Sequence, residues 1–357
     1  MSSCEHLPDV EIDALAERIF RAAPGGRWPL GGSIDLTAHC NLACRHCYMR
    51  PYRHEPEMTT AEIKRILAEI ADAGCLFLLM TGGEPLLRPD FLEIYREARR
   101  RGMVVTLFTN GTLISETIAG ALAEQPPLWV EISLYGASDE TAARVTGQKG
   151  VLAAALEGIR RLQRQGVAVR VKSLLLAANA AEIWQIKRIA DRMGVEFHFN
   201  GEIFGRIGGD PSPREAALPD AESVRFELAD PLHQRIWRQS IKAAAPARRG
   251  LFRCSAGRRG FHVGPYADLN VCILLRKPGF SLRCSSFREG WEKVLPEYLN
   301  AKHEKDECDA CPLLALCGPC PGRNSLESGD ARKRSRILCQ RAHAIAEALK
   351  AREEVMV

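Results

Sequence analysis

Cys40-Asn41-Leu42-Ala43-Cys44-Arg45-His46-Cys47-Tyr48 places three thiols within eight positions. Thiolates are soft ligands that suit iron–sulfur clusters, zinc or copper. A four-iron cluster normally takes four cysteines. Here the run ends at three, and the next thiol is Cys75. Three protein ligands would leave one iron open to a group that is not protein. Structural zinc wants four ligands in pairs, and His46 lies too close along the chain to complete such a set comfortably. Spacing alone leaves zinc and iron–sulfur both open.

The 357 residues allow two domains and a sizeable core. A hydrophobic fraction of 46% with 26% charged residues fits a globular protein. The first twenty residues lack the apolar run of a secretory signal, and Cys75 to Met80 is far too short to span a bilayer. The expectation is a cytoplasmic protein with no membrane partner. An odd total of 13 cysteines points to metal ligation in a reducing compartment rather than to disulfides. The net charge of +5 does not argue for a nucleic-acid partner, and no aromatic–basic RNA motif or paired-histidine zinc finger is present.

Outward from the cysteine run, short strands alternate with helices. Strands are expected at Ser33–Thr37, Leu76–Met80, Val104–Thr109, Trp129–Leu134, Val167–Leu175 and Val195–Phe199. Helices are expected at Thr60–Gly74, Pro89–Arg101, Ser115–Glu124, Gly150–Gln165 and Ala181–Met193. Ile63, Ile66, Leu67 and Ile70 recur at helical spacing on one face. This rhythm predicts a parallel α/β barrel or sheet.

Within three of the strands, apolar and polar residues alternate. Val130, Ile132 and Leu134 oppose Glu131, Ser133 and Tyr135; Val169 and Val171 oppose Arg170 and Lys172; Phe197 and Phe199 oppose Glu196, His198 and Asn200. Strands covered on both faces read as continuous apolar runs. A polar face beside a helix-covered one implies a wet interior, so Arg170, Lys172, Glu196 and His198 should point into a cavity.

The chain divides into an amphipathic helix over 1–27, a barrel over 28–206, a linker over 207–250 with helical turns around Ile236–Ala243, a cysteine-rich region over 251–345 and a frayed helix end over 346–357. The cysteine-rich region carries Cys308-x2-Cys311-x5-Cys317-x2-Cys320, with Cys254 and Cys272 before it and Cys339 after. Two CxxC pairs could bind a structural zinc, but seven cysteines exceed what one zinc needs. The basic runs Arg253, Arg258, Arg259 and Arg332 to Arg336 read as solvated faces.

The Cx3Cx2C run, with Asn41 after its first cysteine, resembles the signature of the radical S-adenosylmethionine (SAM) enzymes. Thr81-Gly82-Gly83-Glu84-Pro85 at the end of the next strand resembles that family's GGE motif. The C-terminal cysteines resemble its SPASM extension. The resemblance implies a partial (βα)6 TIM-like barrel followed by a small SPASM domain. It implies that Cys40, Cys44 and Cys47 hold a 4Fe-4S cluster whose open iron binds the amino and carboxylate groups of SAM. Reductive cleavage of SAM would then give a 5′-deoxyadenosyl radical that abstracts hydrogen from a substrate carbon.

By the same resemblance Gly82, Gly83 and Glu84 meet the SAM amino group, Ser133 the ribose, Arg144 the carboxylate, and His46 lies near the adenine. Asn110, in the Thr109-Asn110-Gly111 turn, has a weaker SAM role. Cys308, Cys311, Cys317 and Cys339 would hold one auxiliary 4Fe-4S cluster. Cys254, Cys272 and Cys320 would hold a second, with Cys284 as fourth ligand or the site open to substrate. Cys284 is also the one thiol placed to donate hydrogen, while Cys4 and Cys75 read as bystanders. Two departures from the pattern are Cx2C in the last pair and Ala267 where glycine is usual.

The implied activity is maturation of a ribosomal precursor peptide by an oxidative crosslink, thioether or related modification, with an external one-electron reductant. The alternatives are a tetrapyrrole or other small-molecule substrate, a sulfatase-type protein activator, a peptide epimerase, and a non-catalytic iron–sulfur carrier.

Overall fold

The structure is a computed structural model that describes residues 26–49, 53–242, 251–300 and 307–355. The helix expected over 1–27 and the thiol of Cys4 fall outside the described residues, apart from the last two positions of that range.

Strands β1 (Gly31–Asp35), β2 (Phe77–Thr81), β3 (Val104–Thr109), β4 (Trp129–Ser133), β5 (Val169–Leu174) and β6 (Glu196–Asn200) run parallel, in that spatial order. Helices Thr60–Asp72, Phe91–Arg100, Glu116–Glu124, Val151–Arg164 and Ile183–Arg192 connect them. The first of these helices begins in a capping box, where Thr59 and Glu62 each receive the other's backbone N–H. Its stripe of Ile63, Ile66, Leu67 and Ile70 is fully buried. Each such side chain contributes about 1.5–3 kcal/mol against exposure.

Register explains why one face of the sheet is apolar. Ile34 pairs with Met80, Met80 with Leu107, and Ile132 with Val171. All are fully buried in one core with the helix stripes. The opposite face carries Ser33, Asp35, Glu131, Lys172 and His198, so the alternation seen in the sequence does separate helix-facing from interior-facing residues.

An additional helix, Asp139–Thr146, interrupts the connection after β4. Ser138 caps it by accepting from the Thr141 N–H, and Gly147 closes it in a left-handed conformation at φ 76°. It is short, and its apolar positions are too few to show a stripe.

The C-terminal half holds more helix than its sequence suggested. The stretch 207–250, expected as a linker with helical turns around Ile236–Ala243, is helical over much of its described part. It holds a 3-10 turn at Ser212–Ala216 and helices Asp220–Leu228 and Pro231–Lys242. Pro219 and Pro231, which look like breakers, sit at helix starts, where a missing N–H costs nothing. Residues 346–355 continue helix Arg336–Val355, so the expected helix end is helical to the last described residue. Val224, Trp237, Ile345 and Leu349 bury one another in a second small core. Arg341, also buried, pairs there with Glu227.

The cysteine-rich region shares the barrel's sheet. β7 (Gly260–Val263) pairs parallel with β1, and β8 (Asp268–Asn270) and β9 (Pro278–Ser281) follow antiparallel. No helix among the described residues is long and apolar enough to cross a membrane.

Candidate active site

The cysteine run leaves the C-terminal end of β1 and is held by main chain from three directions. The Leu36 N–H donates to Thr81 O at 2.9 Å, Gly83 N–H to Thr37 O at 2.8 Å, and Glu84 N–H to His39 O at 2.8 Å. This approach needs glycine. A Cβ at Gly83 would stand 2.2 Å from His39 O, and one at Gly82 2.4 Å from Thr37 O. Further on, Ala43 N–H donates to Thr146 O at 2.9 Å and Arg45 N–H to Val145 O at 3.3 Å. The added helix Asp139–Thr146 therefore supports the loop from below with its last carbonyls.

Cys40 Sγ receives the Leu42 N–H at 3.4 Å and Asn110 Nδ2 at 3.9 Å. Asn110 Nδ2 also donates to Asn41 Oδ1 at 2.8 Å, and Asn41 Nδ2 to Thr112 Oγ1 at 2.9 Å. Asn41 and Asn110 thus tie the cysteine run to the end of β3. Burial pushes the Cys40 thiol up, and the Leu42 N–H and Asn110 pull it back. Donors aimed at a sulfur are what a cluster thiolate takes, so the residues fit an iron–sulfur group. Among the described residues no three His, Cys, Asp or Glu side chains converge as ligands of a single metal ion.

Glu84 is fully buried. Its carboxylate accepts from Thr109 Oγ1 at 2.7 Å, the Asn110 N–H at 2.7 Å and the Leu86 N–H at 3.1 Å. Burial raises its pKa to about 7 against those three bonds. Glu84 thus has both oxygens bonded within the chain. It fastens the end of β2 to the end of β3.

His46 is 7% exposed, and its ring packs edge-on against Tyr135 at 4.6 Å. Its Nδ1 has no hydrogen-bond partner among the described residues. Desolvation lowers its pKa to about 4, so the ring is neutral at pH 7. His46 and Arg144 line one cavity of about 400 Å³, together with Arg45, Leu176 and Arg206. Arg144, half exposed, donates to Thr141 Oγ1 at 2.9 Å. Ser133 ends β4 and hydrogen-bonds the side chain of Tyr135, whose phenol burial also raises. Of these five cavity-lining residues, Arg45 and His46 belong to the cysteine run, while Leu176 and Arg206 carry no motif in the sequence and are placed by the fold alone.

Sequence reasoning also missed a buried ion pair. Asp35 and His262 are fully buried. Asp35 Oδ2 lies 2.7 Å from Arg276 Nη2 and 3.5 Å from His262 Nε2. Burial pushes the Asp35 carboxyl up, but Arg276 and His262 together hold it below its ordinary value. Arg276 Nη2 also lies 3.3 Å from Met49 Sδ. The pair joins the end of β1, the cysteine run and the loop after Cys272. Ser33 and Asp35 on the polar face of β1 were the signal available.

The C-terminal cysteines fall into two groups. Cys308, Cys311, Cys317 and Cys339 line a single cavity of about 340 Å³ with Arg332 and Arg334. Arg334 Nη1 is 3.9 Å from Cys308 Sγ. Cys272 is pushed up to about 11, mainly by burial, with further contributions from Cys320 and Cys254 beside it. Its sulfur accepts the Leu275 N–H at 3.2 Å. Cys284 is exposed in the loop after β9, and Cys75 is buried. Ala267, where the pattern has glycine, has φ 66° in the turn between β7 and β8, closed by Gly264 N–H to Asp268 O at 2.9 Å.

Residues 34–193 match the radical SAM superfamily. The chain is similar to an AdoMet-dependent heme synthase of Methanosarcina barkeri, at 29% identity over 83% of this chain and 92% of that protein. It is 28% identical to the mycofactocin maturase MftC of Mycobacterium ulcerans, over 81% and 82% of the two chains. In fold it is similar to Streptococcus suis SuiB bound to its precursor peptide SuiA, with a TM-score of 0.70, 16% identity, and coverage of 88% of this chain and 76% of that one. Together with the cysteine run at the barrel mouth, these findings identify a radical SAM domain over residues 34–193, followed by a cysteine-rich C-terminal region consistent with a SPASM-type auxiliary domain.

Proposed function

We propose that this radical SAM enzyme matures a ribosomally made peptide by an oxidative modification. The observation that carries the reading is a single chain with Cys40, Cys44 and Cys47 at the barrel mouth and a separate four-cysteine cavity beyond it. Cys40, Cys44 and Cys47 would hold the SAM-binding 4Fe-4S cluster, which together with bound SAM supplies a 5′-deoxyadenosyl radical that takes hydrogen from a substrate carbon. Asn41 and Asn110 fix Cys40, and Glu84 fixes the strand ends that carry the surrounding loops. The neutral His46 ring offers an apolar face to the adenine, and Arg144 offers its charge to the SAM carboxylate. Ser133 would meet the ribose.

Cys308, Cys311, Cys317 and Cys339 would hold one auxiliary cluster, and Cys254, Cys272 and Cys320 a second. Such centres can be tuned to accept an electron, which suits a net oxidation. SuiB, crystallised with its precursor peptide, and the maturase MftC support a peptide partner for this chain. An external one-electron reductant would start each turnover.

Two measurements test this. Iron per chain after anaerobic reconstitution should be about 12, falling to about 8 when Cys40, Cys44 and Cys47 are replaced by Ala. Product mass should be two hydrogens below substrate mass. An unchanged mass replaces oxidation with epimerisation, with Cys284 as the hydrogen donor. About 4 iron with zinc in the C-terminal region removes the auxiliary clusters from the proposal.

A second reading is a tetrapyrrole substrate, favoured by the similarity to the heme synthase over most of both chains. Turnover of an iron porphyrin, with no precursor peptide accepted, would establish it.

A further inference from the structure

The inward faces of β4, β5 and β6 carry a charged set that the reading above does not use. Register places Glu131 beside Arg170, and Lys172 beside His198. Glu131 is 7% exposed. Lys172 Nζ lies 3.4 Å from Glu131 Oε1, and His198 Nε2 lies 3.4 Å from Glu131 Oε2. Both contacts are longer than an N–H···O hydrogen bond. Glu131 Oε1, although buried, accepts no hydrogen bond from the described residues.

The neighbouring pair shows what a closed ion pair looks like on this wall. Arg170 meets Glu196 at 2.8 Å and stacks on Trp129, 3.9 Å from the ring centre. Lys172 and His198 stop short of that. About a third of each side chain, 35% and 31%, stays open toward the barrel interior. The Lys172 ammonium also lies over the Phe108 ring at 5.2 Å, so apolar surface backs it. An ammonium with unused donors, partly desolvated, makes its strongest bonds to an anion.

Charge decides how many anions fit. Lys172 balances Glu131 while His198 is neutral. A second carboxylate is balanced when His198 takes a proton. We propose that Lys172 and His198 bind a carboxylate of the substrate inside the barrel, with Glu131 as the residue that positions both. The proposal rests on the radical SAM reading above. The carboxylate belongs either to a peptide, as an acidic side chain, or to a tetrapyrrole, as a ring substituent.

Proton uptake gives the site a signature. The groups facing His198 are Glu131 on β4, Arg170 and Lys172 on β5, and Glu196 on its own strand; burial is the main reason its pKa sits below the ordinary value, with Glu131 opposing. A bound carboxylate raises it. Affinity is therefore highest below the pKa of the free site and falls as pH rises toward that of the bound site.

The test is calorimetric titration of the reconstituted holoenzyme, with SAM present, in two buffers of different ionisation enthalpy. The probes are glutarate, its diamide glutaramide, a capped tetrapeptide with one Glu, and coproporphyrin III. Expected are proton uptake with glutarate, no binding of glutaramide, and loss of about tenfold or more in affinity for Lys172→Met, largely restored in Lys172→Arg. His198→Gln should bind more weakly and without proton uptake. The tighter of the tetrapeptide and coproporphyrin names the source of the carboxylate. Glutarate binding that is absent, or equal in Lys172→Met and wild type, overturns the proposal, as does glutaramide binding as well as glutarate. Reductive SAM cleavage by the same wild-type preparation separates the two levels. If it is absent the radical SAM reading fails; if it is present while carboxylates ignore Lys172, only this proposal fails.

Discussion

Glu84 accepts the backbone N–H of Asn110 at 2.7 Å, joining the ends of two adjacent strands through a carboxylate that no solvent reaches. The bond gives the acidic residue that ends the Gly-Gly-Glu run a structural role within the chain. It also makes the carboxylate a stability element with a definite pH response. Its pKa is about 7 in the folded chain against 4.5 for the free side chain. The folded state therefore holds the extra proton between those values. This contribution to stability is fully present below pH 4.5 and is lost as pH rises through about 7. Thermal midpoints at pH 5 and pH 8 should show this component in wild type and lack it in Glu84→Gln. Glu84→Gln should also be less stable at pH 8, by about 1.5–3 kcal/mol, because one amide oxygen replaces two carboxylate oxygens for three donors.

Gly83→Ala places a methyl 2.2 Å from His39 O, a main-chain atom that cannot swing aside. The cysteine run must shift. The expected cost is about 1–3 kcal/mol, with iron lost selectively from the Cys40, Cys44 and Cys47 set. Iron analysis beside a denaturation curve checks both. Full iron and unchanged stability would show that the approach of the two loops is not needed.

Ala267 is the one non-glycine residue at positive φ among the described residues. The left-handed conformation costs an L-residue roughly 1–2 kcal/mol. Ala267→Gly should relieve much of this and raise the thermal midpoint. A lowered midpoint would mean that contacts of the buried Ala267 methyl outweigh the backbone term.

Leu349→Ala removes a buried side chain from the core that holds helices Asp220–Leu228 and Arg336–Val355 together. A loss of about 2–5 kcal/mol is expected by urea denaturation. An unaffected variant would return residues beyond 346 to the status of a loose tail.

The barrel was legible because its signals are local. Helical spacing of Ile63, Ile66, Leu67 and Ile70, and alternation around Glu131, Lys172 and His198, follow from the geometry of each element alone. On β1, Ser33 and Asp35 alternate with Ile34 in the same way, a signal that names no partner for them. Of the two helices between 220 and 242, the sequence showed only turns around Ile236–Ala243, because the prolines at both helix starts, Pro219 and Pro231, resemble breaks. Their apolar stripe is also short, because it meets only Ile345 and Leu349 from the far end of the chain.

By itself the sequence determined which residue types could bind metal and cofactor, and on which strand ends they sit, because thiol spacing and side-chain alternation are properties of adjacent residues. Tertiary structure decided what each polar group bonds to. Glu84 meets Asn110, Asp35 meets Arg276, and Arg144 and Arg206 share a cavity with His46, because strand register and loop packing bring together groups that are remote in the chain. A buried carboxylate takes whichever donors the fold places within reach, and that choice is fixed by three-dimensional proximity rather than by spacing.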